Sequence, residues 1–167
     1  MNLQRYLNHS KIDVLFKQNK DDFVVTEVPL YDFSGEGEHL VLKIRKKDLA
    51  TWDAIEILAK YLNCSTREFG YAGLKDKNAL TVQSISIHRK FEEALKSFQH
   101  ENIKILETTY HNNKIKVGHL KGNKFFIRLK RVGLVEKRKI EEIFISSVEF
   151  EYMFWEMAYN KEMSYKK

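Results

Sequence analysis

The sequence predicts an α+β fold, in which a mixed, largely antiparallel sheet is flanked by helices. Several short runs alternate apolar and polar side chains, as strands with one buried face do. Other segments carry apolar residues at helical spacing, and they occur irregularly among the strands instead of alternating with them. The sequence contains a single proline, so these elements are uninterrupted. No repeat, low-complexity tract or linker divides the chain, which favours one domain.

The amino-terminal part is predicted to form two strands and a helix. The strands are Phe23 to Val28 and Glu38 to Arg45, with a turn at Ser34–Gly37. We expect the helix to be capped by Thr51, because a threonine hydroxyl can accept a hydrogen bond from the first turn. Its apolar stripe comprises Trp52, Ile55, Ala59 and Leu62. This stripe should cover the sheet.

The remaining elements follow a capping-box pattern at Ser65–Glu68, which predicts a short helical turn. Alternation then predicts strands at Thr81–Ile87, Ile103–Tyr110, Ile115–Leu120 and Phe125–Val132, the middle two flanking an Asn112-Asn113 turn. Helical spacing predicts helices at Phe91–His100 and Val135–Ser147. In the strand from Phe125 we expect one face to pack and the other to be exposed.

Composition favours a cytoplasmic, metal-free protein that is attracted to polyanions. The formal net charge is +6 and the sequence pI is about 9.2. The single cysteine, Cys64, excludes an intramolecular disulfide framework, and the six histidines lack the spacing with cysteine that indicates zinc. Residues 1–20 have no apolar run of signal-peptide length, and no segment is apolar enough to cross a membrane.

The most informative stretch is Gly70–Gln83, which places one carboxylate, two lysines and two glycines between strand-like runs. Glycine permits close approach of a ligand to the backbone. We expect Lys75 and Lys77 to favour the ionised form of Asp76 and to attract anionic ligands. Taken alone, an aspartate between two lysines in such a turn is more often part of a solvated surface loop.

Residues 72–83 resemble the signature of the TruD family of tRNA pseudouridine synthases, Ala-Gly-x-Lys-Asp-x-x-Ala-x-Thr-x-Gln, at every defined position. Two further family motifs occur in the expected order: Asp22–Glu27 followed by Gly35–His39, and Gly118–Phe125. The resemblance extends from about Lys17 to about Arg131. It implies part of the pseudouridine synthase catalytic fold.

The resemblance also implies a reaction, the isomerisation of uridine to pseudouridine at the thirteenth position of tRNA. The bond between uracil and ribose breaks and the base rejoins through carbon, without redox change. No cofactor is therefore expected, in agreement with the absence of a dinucleotide fingerprint and a P-loop from the sequence. The partner would be tRNA. Asp76 would be the catalytic carboxylate, and the sequence leaves open whether it attacks the ribose carbon or removes a sugar proton.

Three residues resemble family positions that contact the substrate. Lys17 would help to keep Asp76 charged, Phe23 would stack on an unstacked base, and the amide of Asn123 would donate and accept hydrogen bonds. A solvated lysine and a core phenylalanine are the alternatives. The expected supporting residues are Glu27, Lys75, Gln83 and Phe125, and for Glu27 and Gln83 simple surface exposure is the alternative. The cations expected to hold the tRNA backbone are Lys43, Arg45, Lys46, Lys47, Lys121, Lys124, Arg128, Lys130 and Arg131.

The carboxy-terminal part departs from the family pattern. The Pro-Asn-Tyr-Phe-Gly-x-Gln-Arg-Phe-Gly signature, the inserted domain and the second half of the family's catalytic domain are missing. We therefore expect residues 1–147 to be a partial catalytic domain, residues 148–167 to be a divergent aromatic-rich tail, and the gene to be truncated or frameshifted. The alternatives to an active enzyme are an inactive RNA-binding fragment and a nonfunctional remnant.

Overall fold

Residues 16–128 form one compact unit that contains a six-stranded mixed sheet. The structure is a computed structural model, and it describes residues 14–145. In chain order the strands are β1 (Leu15–Phe16), β2 (Phe23–Pro29), β3 (His39–Lys47), β4 (Gly70–Tyr71), β5 (Leu80–His88), β6 (Ile103–His111), β7 (Leu120–Ile127) and β8 (Leu129–Lys130). The helices are α1 (Thr51–Tyr61), α2 (Glu92–Leu95) and α3, which includes residues 134–145.

The strand order of the main sheet is β6-β3-β5-β2-β7, with β4 pairing with β5 beside this path. The β2–β5 pair is parallel, and the other pairs of this sheet are antiparallel. This confirms the predicted α+β class with a mixed, largely antiparallel sheet. Short 3₁₀ turns lie at Lys20–Asp22, Thr66–Glu68 and Arg89–Phe91, the second of which is the helical turn predicted after Ser65.

The main core lies between α1 and one face of the sheet. Alternation along β3 turns Leu40, Leu42 and Ile44 toward the helix, and their partners on β5 include Ile87 and Ile85. The helix contributes Ala54, Ile55, Leu58 and Ala59, all of them buried. Burying apolar area of this kind is the main favourable term in folding. Several of the buried polar residues described below lie on these same elements, α1, β3 and β5.

Among the described residues, 14–15 and 129–145 belong to a second compact unit. Strands β1 and β8 form a separate two-stranded sheet. The helix predicted at Val135–Ser147 is observed over 134–145, and its last two predicted residues lie outside the described residues. The predicted boundary at residue 147 and the aromatic tail also lie outside them.

Two local predictions for helices are wrong. Ala50 occupies the N-cap and Thr51 is the first residue of α1. The Thr51 hydroxyl contacts Lys75 and Gln83 and does not cap the helix. The second helix is only Glu92–Leu95, much shorter than predicted. The chain turns away after Leu95 because Phe98 packs against the core and meets the ring of Tyr61 edge-on. Tertiary packing therefore overrides the local helical spacing.

The strand predicted at Ile115–Leu120, after the Asn112-Asn113 turn, is also wrong. Residues 112–119 form a loop, β6 pairs with β3, and β7 pairs with β2. The loop is anchored because Ile115 is buried with Val41 and Ala72, and the N–H of Gly118 donates to the carbonyl of Ala72 at 2.9 Å. Gly118 has a φ of +93°, which glycine adopts without strain.

Strand β7 differs from the prediction in its exposure. It runs from Leu120 to Ile127 at the edge of the sheet and does not continue to Val132. Phe125 on one face is 61% exposed and Phe126 on the other is 50% exposed. Both faces of β7 are therefore largely exposed within the described part of the chain.

Candidate active site

The Asp76 loop lies where two parallel strands begin. Residues 72–79 connect β4 to β5, and Leu80 at the start of β5 pairs with Val24 near the start of β2. Lys17 precedes β2 and Phe23 is its first residue. The parallel pairing therefore brings together Lys17, Phe23 and Asp76, which are far apart in the sequence.

The carboxylate of Asp76 is held by its own turn and by Lys17. The backbone N–H of Asn78 donates to its Oδ1 at 3.0 Å, and Nζ of Lys17 lies 3.7 Å from its Oδ2. The hydrogen bond from Asn78 is the main reason that the pKa of Asp76 is lowered, and the Lys17 charge lowers it further. The Asp76 side chain is 50% exposed. The loop thus presents an ionised, accessible carboxylate.

An aromatic wall adjoins this carboxylate. Nζ of Lys17 lies 4.0 Å from the centroid of the Phe23 ring, within the range of a cation–π contact. Phe23 stacks on Phe125 with 6.2 Å between centroids, and Phe16 meets Phe23 edge-on. Lys17 itself adopts a φ of +53°, an uncommon angle for a residue with a Cβ. The sequence placed Phe23, Lys17 and Phe125 at the site, and the structure brings these three together.

Beneath the loop, Lys75 points inward. Its Nζ donates to Oε2 of Glu27 at 2.7 Å, and Oε1 of Glu27 accepts the backbone N–H of Ser84 at 3.2 Å. The side chains of Lys75 and Glu27 are 4% and 2% exposed. The expectation that Lys75 attracts anionic ligands is therefore wrong, because its charge is buried against Glu27. Exposure of Glu27, the alternative considered for it, is also excluded.

A second link connects the loop to α1 and β5. The backbone N–H of Lys75 donates to Oγ1 of Thr51 at 2.8 Å, and the Thr51 hydroxyl donates to Oε1 of Gln83 at 3.0 Å. Thr51 and Gln83 are both buried. Gln83 is thus linked to the loop through Thr51. The sequence analysis missed this role of Thr51, because it assigned the Thr51 hydroxyl to helix capping.

Lys46 is a further residue of the site, and its predicted contact with the tRNA backbone is wrong. The side chain is fully buried, and its Nζ donates to the carbonyls of Leu49 at 2.6 Å and of Lys75 and Asp76 at 3.4 Å each. Burial, with the Lys75 charge nearby, lowers the pKa of Lys46 to about 8. A signal was present in the sequence, because strand alternation places position 46 on the inward face with residues 42 and 44.

Lys20 and Asn78 were also missed by the sequence analysis. Nζ of Lys20 donates to Oδ1 of Asn78 at 3.1 Å and lies 2.7 Å from Oδ1 of Asp48. The backbone N–H of the same Asn78 holds Asp76. Lys20 thereby connects Asn78 in the Asp76 turn to the segment that precedes β2.

Asn123 lies on β7, next to β2. It is directly opposite Glu27, so the two side chains project from the same face of the sheet. Asn123 is exposed, and no other described residue hydrogen-bonds its amide. The amide is therefore open to a ligand on the face that carries Glu27.

Within residues 14–145, no group of three or more histidine, cysteine, aspartate or glutamate side chains is arranged to hold a metal ion. The described helices include none that is long and apolar enough to cross a membrane. The side chains gathered at Asp76 offer a carboxylate, an ammonium group and aromatic faces.

The site can be compared with known proteins. A family profile described as "tRNA pseudouridine synthase D (TruD)" matches residues 1–152. The tRNA pseudouridine synthase D of Nitratiruptor sp. is 58% identical over 138 residues, which are 83% of this chain and 38% of that protein. The protein of the same name from Helicobacter pylori is 47% identical over 147 residues, 86% of this chain and 39% of that protein.

A solved structure agrees with these matches. The crystal structure of the putative tRNA pseudouridine synthase D from Methanosarcina mazei superposes with a TM-score of 0.67 at 27% identity, over 75% of this chain and 29% of that one. The chain spans 38% of the length of the Nitratiruptor relative. The family profile covers most of the chain, and the chain therefore belongs to the TruD family of tRNA pseudouridine synthases.

Proposed function

We propose that this chain provides the catalytic carboxylate, Asp76, for the conversion of uridine to pseudouridine in tRNA, at the thirteenth position by family resemblance. The observation that carries the proposal is the state of Asp76. Its carboxylate is ionised, half-exposed and fixed by the N–H of Asn78, beside Lys17. A group that attacks a ribose carbon or removes a sugar proton must be ionised and within reach of a substrate.

The surroundings of Asp76 suit a base that has left its stack. Extruding a nucleotide costs a few kcal/mol, and stacking on an aromatic side chain recovers part of that cost. Phe23 and Phe125 present such rings next to Lys17. The exposed amide of Asn123, on the Glu27 face of the sheet, can donate to and accept from the polar edge of uracil.

The buried network supports the proposal because it fixes the loop from below. Lys46 holds two carbonyls of the loop, Lys75 is anchored on Glu27, and Thr51 accepts the N–H of Lys75. Preorganised groups lose little free energy to rearrangement during the reaction. In this account the residues that position Asp76 without touching the substrate are Lys46, Lys75, Glu27, Thr51 and Gln83.

The test is single-turnover conversion of uridine in an unmodified tRNA pool, with the modified position mapped. One arm uses the chain alone. The other adds a polypeptide that carries the remaining part of the Nitratiruptor relative. We expect pseudouridine in at least one arm, and none in either with Asp76→Ala. If the folded chain forms no product in either arm, or if Asp76→Ala is as active as wild type, the proposal is wrong.

A second candidate is RNA binding without turnover. It is favoured by the exposure of Phe125 and Phe126 on β7, because exposed rings on a sheet can stack on unpaired bases. A binder of this kind melts cooperatively and holds tRNA in a salt-dependent way that Asp76→Ala leaves unchanged. It forms no product in either arm. A nonfunctional remnant differs from both candidates because it lacks a melting transition.

A further inference from the structure

The exposed cations of the sheet differ in whether they already have anionic partners. Lys43 is paired with Glu107 at 3.1 Å, and Arg128 lies 3.6 Å from the carboxylate of Asp22. Arg45 and Lys104 are also exposed, but neither forms an ion pair with another described residue. These two cations are therefore available to an anion from outside the described chain.

Arg45 and Lys104 lie directly opposite each other on β3 and β6. Like charges in opposed positions destabilise a sheet, whereas opposite charges stabilise it. The same two strands carry a complementary pair, Lys43 opposite Glu107, a short distance away. The fold thus retains a repulsive pair beside an attractive one, and an anion bound between Arg45 and Lys104 would remove the repulsion.

The two cations line a pocket of about 300 Å³ together with Lys47. Asp21 and Glu101 line it as well, so three cations face two carboxylates. Lys46 also lines the pocket, but its ammonium group is bonded to backbone carbonyls. Arginine is suited to such a site, because its planar fork can donate two parallel hydrogen bonds to a phosphate. The pocket has both the charge and the donors for one phosphodiester.

The pocket lies at the same end of the sheet as Asp76. Lys47 pairs with Leu80, which also lines the pocket. Leu80 is four residues after Asp76, so the chain can separate their Cα atoms by at most about 14 Å. Lys46, between Arg45 and Lys47, is the residue that holds the Asp76 carbonyl. Because side chains alternate along β3, Arg45 and Lys47 project from the face opposite to Lys46, so the pocket and the Asp76 loop share one end of the sheet but lie toward its opposite faces.

We propose that Arg45, Lys47 and Lys104 form a subsite for a backbone phosphate of RNA, which passes around this end of the sheet from the base that reaches Asp76. The proposal rests on the proposed function, since it names where the same RNA is held. The group that would bind in this subsite is a phosphate, and we assign it to the phosphodiester backbone of the RNA.

The experiment compares the salt dependence of tRNA binding by the full chain and two charge-matched double variants. R45Q/K104Q removes the opposed pair, and K60Q/K116Q removes two exposed lysines elsewhere. The slope of log affinity against log salt should fall by about 2 in magnitude for R45Q/K104Q, because two phosphate contacts are lost. It should stay close to wild type for K60Q/K116Q. R45Q/K104Q should melt no lower than wild type, because a like-charge pair has been removed.

Equal slopes for R45Q/K104Q and wild type would overturn the subsite, as would a folded wild-type chain that does not bind tRNA. A further arm adds inorganic phosphate alone. If phosphate raises the melting temperature of wild type but not of R45Q/K104Q while the tRNA slopes agree, the site takes free phosphate and the RNA proposal fails. Asp76→Ala separates the two proposals, because it should abolish turnover without changing the slope.

Discussion

Nζ of Lys75 lies 2.7 Å from Oε2 of Glu27, and the two side chains are 4% and 2% exposed. This ion pair is buried one residue before the exposed carboxylate of Asp76. It anchors the loop on β2, so a lysine that appears in the sequence as part of a basic turn belongs to the interior. Buried charges require their partners, because an isolated ion in the interior is strongly destabilising.

Removing one member of this pair should therefore destabilise the fold severely. We expect Lys75→Met or Glu27→Gln to lower the free energy of unfolding by about 3–5 kcal/mol, and Lys75→Met/Glu27→Leu to cost much less than the sum. Urea denaturation measures these values. Lys77→Met is the matched control, because Lys77 flanks Asp76 on its other side and is exposed. Equal, small losses for Lys75→Met and Lys77→Met would contradict the assignment.

Thr51→Val should reduce stability by about 1–3 kcal/mol, because it leaves the N–H of Lys75 and Oε1 of Gln83 without the hydroxyl that bonds them. The change preserves the shape of the side chain. Thr51→Ser keeps the hydroxyl and should retain most of the stability, as thermal or urea unfolding will show. A serine variant as unstable as the valine variant would mean that the methyl group, and not the hydrogen bonds, matters.

Lys46 should make stability depend on alkaline pH. Its pKa is about 8 in the folded chain and 10.5 when unperturbed, so between these values the unfolded chain binds more protons. The stability of wild type relative to Lys46→Met should therefore rise with pH across this interval, by about 3 kcal/mol in total. Denaturation of both proteins across this range tests the sign. A difference that stays constant or falls would show that Lys46 is not desolvated.

Lys17→Met should raise the pKa of Asp76 only in part. The leading cause of the lowered pKa is the N–H of Asn78, which the substitution leaves in place. Asp76 should thus remain ionised at neutral pH, and the loss of Lys17 should not move the pH profile of turnover near neutrality. An NMR titration of the Asp76 carboxyl measures the pKa. A return to the ordinary aspartate value would mean that Lys17, and not the turn, sets it.

Most strands of this fold could be predicted because each produces a local alternation in the sequence. Residues 40, 42 and 44 predict one buried face of β3, and the same pattern carries on to Lys46. The short α2 and the loop at 112–119 were mispredicted because their conformations depend on distant partners. Phe98 turns in toward Tyr61, and Gly118 bonds to Ala72. No local pattern encodes such contacts.

The members of the site could be predicted better than its geometry. The family motifs named Asp76, Lys17, Phe23 and Phe125, which the structure brings together. The same motifs did not show that the lysine before Asp76 points inward, or that a threonine of α1 joins the loop to β5. These contacts cross between the loop, a helix and two strands, so they follow only from the three-dimensional pairing of elements.

The most direct test of the account is Asp76→Asn. An asparagine keeps a side-chain oxygen that can accept the N–H of Asn78, so the turn and tRNA binding should persist while the carboxylate is lost. Single-turnover assays with unmodified tRNA, under the conditions in which wild type is active, should show no pseudouridine from this variant. Product formation by Asp76→Asn at a rate near that of wild type would contradict the claim that the Asp76 carboxylate performs the reaction.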